Sequence, residues 1–185
     1  MPRPMALSTA SDAPGQVSRF YLGGLQEPTG IVFTGEALVT ADKTHVWRID
    51  AKGQKNLLAG PDQFPVPPVY LNDVTLDPAR RGVFVTDMNN RGQFMGPDGF
   101  RAVDDKSVLS QTPGGRVYHI AWDGTVTLAI GDSPLMLHPN GVFVEPDGRI
   151  LAASFFLRPH RRRLSRQTIA NHRHGISFWC RRRNR

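Results

Sequence analysis

Apolar residues in this chain come in short runs broken by Gly, Pro, Asp and Asn, the pattern of many short strands joined by tight turns. The stretch from Pro139 to Ala153 shows the unit. Val142-Phe143-Val144 is β-branched or aromatic, as strands prefer. Pro146-Asp147-Gly148 supplies a turn, because Pro fixes φ and Gly accepts positive φ. Ile150 to Ala153 then reads as the returning strand, and Asn140 stands just ahead of the first one.

The same unit occurs twice more upstream. In the first copy Gly30-Ile31-Val32-Phe33 and Ala37-Leu38-Val39-Thr40-Ala41 flank a turn. His45 to Asp50 alternates polar with apolar, and Lys55 to Ala59 makes a fourth strand. Four prolines between Pro61 and Pro68 mark a connection. The second copy holds strands at Asn72–Leu76, Val83–Asp87, Gly115–Ile120 and Thr125–Ile130, with a long polar insertion from Met88 to Gly114 and an Asp123-Gly124 hairpin turn. The lead-ins align as Thr29-Gly30-Ile31, Asn72-Asp73-Val74 and Asn140-Gly141-Val142. Four antiparallel strands per repeat, about 40 residues or more apart, predict an all-β fold, a β-propeller of four-stranded antiparallel blades. Blades expose apolar faces that only stacking buries, so they depend on one another. About two and a half blades fit before the pattern halts near residue 156. The expected organisation is a loose leader over 1–20, a partial propeller over 21–156 and an Arg-rich tail without order over 157–185.

Charge sharpens the division. The chain has 185 residues and a formal net charge of +7, but 158–185 hold ten arginines and no acid. The remainder carries 13 basic residues against all 16 acids, a net of −3. The basic character therefore belongs to the tail. The one cysteine, Cys180, permits no internal disulfide and gives no sign of an oxidising compartment. The first residues lack the apolar run of a signal peptide, and no apolar run approaches bilayer length, so the expectation is a cytoplasmic protein with no membrane partner.

The order and spacing of Leu71-Asn72-Asp73-Val74-Thr75-Leu76-Asp77-Pro78, Val83-Phe84-Val85-Thr86-Asp87, Pro113-Gly114-Gly115-Arg116-Val117-Tyr118 and His138-Pro139-Asn140-Gly141-Val142 resemble the gluconolactonase and regucalcin family, the senescence-marker-protein and luciferin-regenerating-enzyme group. The resemblance covers roughly Glu27 to Ser154. It implies a six-bladed propeller with a divalent cation, often calcium, at the channel mouth, and hydrolysis of sugar lactones or related esters. Carried over, Asn140 matches the metal-binding Asn, Asn72 the substrate-side Asn, and Glu27 stands near the position of the metal-binding Glu. Glu27 lies two residues before Gly30's neighbour Thr29, whereas the family has Glu directly before Gly-Pro. The later-blade Asp, ligand and general base in the family, has no counterpart, so the catalytic residue is unknown. The expectation is a truncated, inactive part of a metal-dependent lactonase acting on a small-molecule lactone or ester.

Oxygen donors converging at a channel mouth suit a hard cation, which can polarise a lactone carbonyl and acidify a bound water. Plainer readings exist for each residue. Asn140-Gly141 and Asn72-Asp73 also read as turn or strand-start residues. Glu27 reads as an exposed acid, and Asp87, with Asn89 and Asn90 after it, as a solvated loop end. His45, His119 and His138 are scattered, with no metal spacing, and no Gly-x-Ser-x-Gly elbow supports a serine hydrolase. Pro28-Thr29-Gly30-Ile31 also resembles the strand start of NHL-repeat propellers, which are non-catalytic binding scaffolds. The tail offers a nucleic-acid footprint, with His172, His174, Phe178 and Trp179 as stacking residues. The plainer reading of the tail is preferred, with no nucleic-acid partner expected: an abrupt shift to arginine-rich, acid-free sequence is what an out-of-frame reading of GC-rich DNA produces.

Overall fold

The structure is a computed structural model describing residues 8–13, 16–20, 23–89, 95–96, 98–101, 106, 114–131, 136–156 and 176–178. The first repeat forms one antiparallel sheet from β3 (Pro28–Phe33), β4 (Leu38–Asp42), β5 (His45–Ile49) and β6 (Lys55–Ala59), in sequence order. The second uses β7 (Leu71–Leu76), β8 (Gly82–Asp87), β11 (Arg116–Ala121) and β12 (Val126–Ile130) in the same order and sense. β9 (Met95–Gly96) and β10 (Gly99–Phe100) form a small ribbon inside the polar insertion, most of which lies outside the described residues. The third sheet joins β13 (Leu137–Val144) antiparallel to β14 (Ile150–Phe156). These three sheets are successive β-propeller blades, blades 1, 2 and 3.

Two sections depart from the sequence expectation. Within 1–20, β1 (Ser8–Ala13) and β2 (Gln16–Phe20) pair as an antiparallel hairpin where composition predicts a loose leader. In the tail, β15 (Ile176–Phe178) adds to β14 in parallel, unlike the antiparallel third strands β5 and β11. The rest of the tail lies outside the described residues.

The turns follow the sequence chemistry. Gly124 and Gly148 close the Asp123-Gly124 and Asp147-Gly148 turns at φ of 86° and 85°, a conformation that favours glycine. The core is divided between the blades. Val39, Ala41 and Val46 of blade 1 meet Val74, Val83, Val85, Tyr118 and Ile120 of blade 2. Phe84, Val117 and Ile130, on the opposite face of blade 2, meet Val142, Val144, Ile150 and Ala152 of blade 3. Stacking therefore brings the inner strands β3, β7 and β13 side by side.

Candidate functional site

Each inner strand enters its blade through a bulge. The register slips between Pro28 and Ile31, between Leu71 and Val74, and between Pro139 and Val142. The residues inside these bulges are the aligned lead-ins Thr29-Gly30, Asn72-Asp73 and Asn140-Gly141. Bulges bend a strand and re-aim its side chains, and they are frequent beside functional sites. Asn72 and Asn140 thus hold the same position on neighbouring inner strands. Glu27 precedes β3, two residues outside the equivalent position, which Thr29 fills.

Hydrogen bonds tie the three bulges together. The Thr29 hydroxyl donates to the Leu71 carbonyl at 3.1 Å, linking blade 1 to blade 2. Asp73 accepts the Val142 N–H at 2.8 Å on Oδ2, linking blade 2 to blade 3. Thr86 accepts the Asp73 N–H at 3.0 Å and donates to the Asn140 carbonyl at 2.9 Å. One hydroxyl therefore fixes the backbone at both bulges that carry an asparagine. Gly30 lies so close to blade 2 that a Cβ there would stand 2.6 Å from Asp73 Cα.

Behind this row lies a small apolar cap of Met88 and Leu137 with Tyr70 and Met95. The Asn72 amide donates to Met88 Sδ at 2.8 Å, which fixes its Nδ2, while its carbonyl oxygen can only accept. His138, buried at a left-handed φ of 53°, donates from Nδ1 to the Met88 carbonyl at 2.8 Å. Burial holds its pKa below the usual value, against the smaller opposing effect of that carbonyl, so the neutral ring is favoured. Met88 thus joins Asn72 to the residue two places before Asn140.

Two buried carboxylates position the segments leading into the inner strands. Asp42 accepts the Gln26 N–H at 2.8 Å, the Glu27 N–H at 2.6 Å and the Trp47 indole N–H at 3.0 Å. Asp87, at the equivalent place in blade 2, accepts the N–H groups of Tyr70 at 2.9 Å and Asn89 at 3.0 Å, with Arg116 at 3.6 Å. Asp87 is fully buried, which corrects its reading as a solvated loop end. Its charge is matched by backbone dipoles and a guanidinium, the condition under which a carboxylate can be buried. Glu27 is half-buried, with its backbone fixed by Asp42.

Sequence reasoning missed Thr86, Met88 and His138 as organising residues. Their only signal is position, a hydroxyl in a buried strand and two residues flanking aligned motifs.

The donor set can be tested against a cation. Among the described residues no group of three or more His, Cys, Asp and Glu side chains is placed to hold a metal ion. Asn72, Asn140 and Glu27 offer hard oxygen donors, the right kind for calcium, which takes six to eight. The fit is to part of a coordination shell. No helix among the described residues is long and apolar enough to cross a membrane.

A solved regucalcin from Agrobacterium tumefaciens, described as a calcium-binding protein, is 22% identical, with 72% of this chain and 36% of that one covered at a TM-score of 0.39. A solved candidate gluconolactonase is 17% identical, with 83% of this chain and 60% of that one covered at a TM-score of 0.34. The chain thus spans less than two thirds of the length of either. No curated protein matches it. The model of the SMP-30/Gluconolactonase/LRE-like region matches residues 7–154, which takes in blades 1 and 2, blade 3 up to the last two residues of β14, and every bulge described above, and the chain belongs to that family.

Proposed function

We propose that this chain carries one side of a lactonase-type channel site, in which Asn72 meets a small lactone or ester and Asn140, with Glu27, holds a divalent cation, calcium by preference. The observation that supports this most is the shared bulge position of Asn72 and Asn140 on adjacent inner strands, with their backbones joined through Thr86. Bulges are frequent beside functional sites, and two of the three here carry an asparagine.

When bound, the cation would polarise an ester carbonyl and acidify a water. The chain's own residues do the positioning. The Met88 sulfur takes the Asn72 NH₂, so the amide oxygen would be the atom that meets the substrate. Thr86 sets the backbone of Asn140. Asp42 fixes the main chain at Glu27 by accepting its N–H. The general base of lactone hydrolysis would be a further carboxylate, and none of these residues takes that role. The chain alone is therefore a weak cation binder without lactone turnover. A reducing cytoplasmic setting suits its single cysteine.

Calorimetric titration with Ca²⁺ tests the assignment. The wild-type chain should bind the ion, and Asn140→Ala should weaken binding by about tenfold, ~1.4 kcal/mol. Gluconolactone hydrolysis should stay at the uncatalysed rate in both. Equal Ca²⁺ affinity in wild type and variant would remove Asn140 from the site, and turnover by the wild-type chain would overturn the claim of a missing base.

A further inference from the structure

The two ends of the blade stack expose complementary halves of a joint that the chain already makes twice. Register shows which side chains share a face. In blade 1, Ile31, Thr40, Trp47 and Leu57 lie in one row across the sheet, and Phe33, Leu38 and Ile49 in the next. The equivalent rows of blade 2 begin with Val74 and Val85, and with Leu76 and Val83, and they are packed on blade 1. The equivalent rows of blade 3, Val142 with Ala152 and Val144 with Ile150, are packed on blade 2. Among the described residues no blade lies beneath this face in blade 1: Leu25 packs with Leu38, Trp47 and Ile49 over one part of it, and the rest is open. Ile31 is 53% exposed, Phe33 60% and Leu57 51%.

The opposite face behaves in the converse way. In blade 1 it carries Val39, and in blade 2 Phe84, each receiving the next blade. In blade 3 the same positions are Phe143 and Leu151, and Phe143 is 56% exposed. β15 pairs along the edge of β14, so it extends the sheet of blade 3. Exposed apolar rows of this kind mark interaction surfaces.

We propose that a second copy of this chain covers both faces at once, with blade 1 of each copy seated on blade 3 of the other. A second copy is the occupant that brings both halves in the right polarity. Its seating face is the homologue of the face that blade 3 presents to blade 2, and its receiving face the homologue of the one that blade 2 presents to blade 3. A two-fold axis makes the two joints identical and leaves no apolar end, which is the closure that keeps a head-to-tail contact from growing into a filament. Inner strands from both copies then line one channel.

Light scattering on the full chain after size exclusion tests this. The expected mass is twice the 20.5 kDa of the chain. Phe33→Asp and Phe143→Asp, both at exposed positions, should each weaken dimerisation at least about tenfold, ~1.4 kcal/mol, with unchanged circular dichroism. Mixing the two variants should restore association, because one intact joint can form between them. A wild-type monomer at the highest concentration reached would overturn the proposal, and so would masses that grow beyond two chains. A Phe143→Asp variant that remains dimeric would do the same, since it would place the contact between two blade 1 faces.

Discussion

At Asp77 three unlike donors meet one nearly buried carboxylate. The Ala79 N–H lies at 2.9 Å, the Arg81 guanidinium at 3.1 Å and the His119 ring at 3.2 Å. Burial opposes the charge, but together these partners outweigh it and hold the carboxyl below its usual value of 3.8. A carboxylate with a depressed folded pKa adds stability that is fully present above the unfolded value and is lost as pH falls through the folded one. Asp77→Asn should therefore be less stable than wild type at neutral pH, and the gap should narrow as pH falls below about 3.8. Urea midpoints of both proteins across that range give the measurement, and curves that stay parallel would clear Asp77 of the effect. The turn itself is legible in Asp77-Pro78, since both residues favour turns. The burial of Asp42 and Asp87 is not. Each is defined by N–H groups far back in the chain, 17 residues for the Tyr70–Asp87 bond, and local pattern carries no trace of such a partner.

Strand by strand, the bulges decide how closely the blades approach. Gly30 in the bulge of β3 faces Asp73 in the bulge of β7, where an added Cβ would stand 2.6 Å from Asp73 Cα and 2.7 Å from the Val74 nitrogen. Both are backbone atoms, so relief requires the strands to part. Gly30→Ala should cost about 1–3 kcal/mol, as overpacking does, and it should be read as a lower urea midpoint with an unchanged slope. A midpoint equal to wild type would mean that the inner strands slide apart without loss. The sequence pattern already gives the eight strands of blades 1 and 2, because one buried face and Gly- or Asp-rich turns leave a clear signal. It also aligns Thr29, Asn72 and Asn140, whose common position turns out to be the bulge. The bulges themselves are invisible, since an extra residue in one strand leaves no mark on apolar alternation. β1, β2, β9 and β10 are missed for lack of apolar runs, and β13 begins at Leu137, earlier than its apolar core suggests.

The blades share their cores, and this sets how the molecule unfolds. Ile120 of blade 2 is fully buried among Val39, Ala41 and Val46 of blade 1, so truncating it opens a cavity that belongs to both sheets. Trp47 reports on blade 1, where its indole donates to Asp42 at 3.0 Å, and Trp122 on blade 2, where it donates to the Arg80 carbonyl at 2.8 Å. Ile120→Ala should cost about 2–5 kcal/mol. In single-tryptophan versions of the chain, with the other tryptophans replaced by Phe, both probes should report the same lowered midpoint. The two larger clusters are shared between neighbouring blades, and the one cluster of blade 1 alone is small, so stacking makes the blades stable as a set. If Trp47 kept its original midpoint while Trp122 moved, blade 1 would be folding on its own apolar cluster of Leu25, Leu38, Trp47 and Ile49. The seating face of blade 1 would then be a finished surface rather than half of a joint.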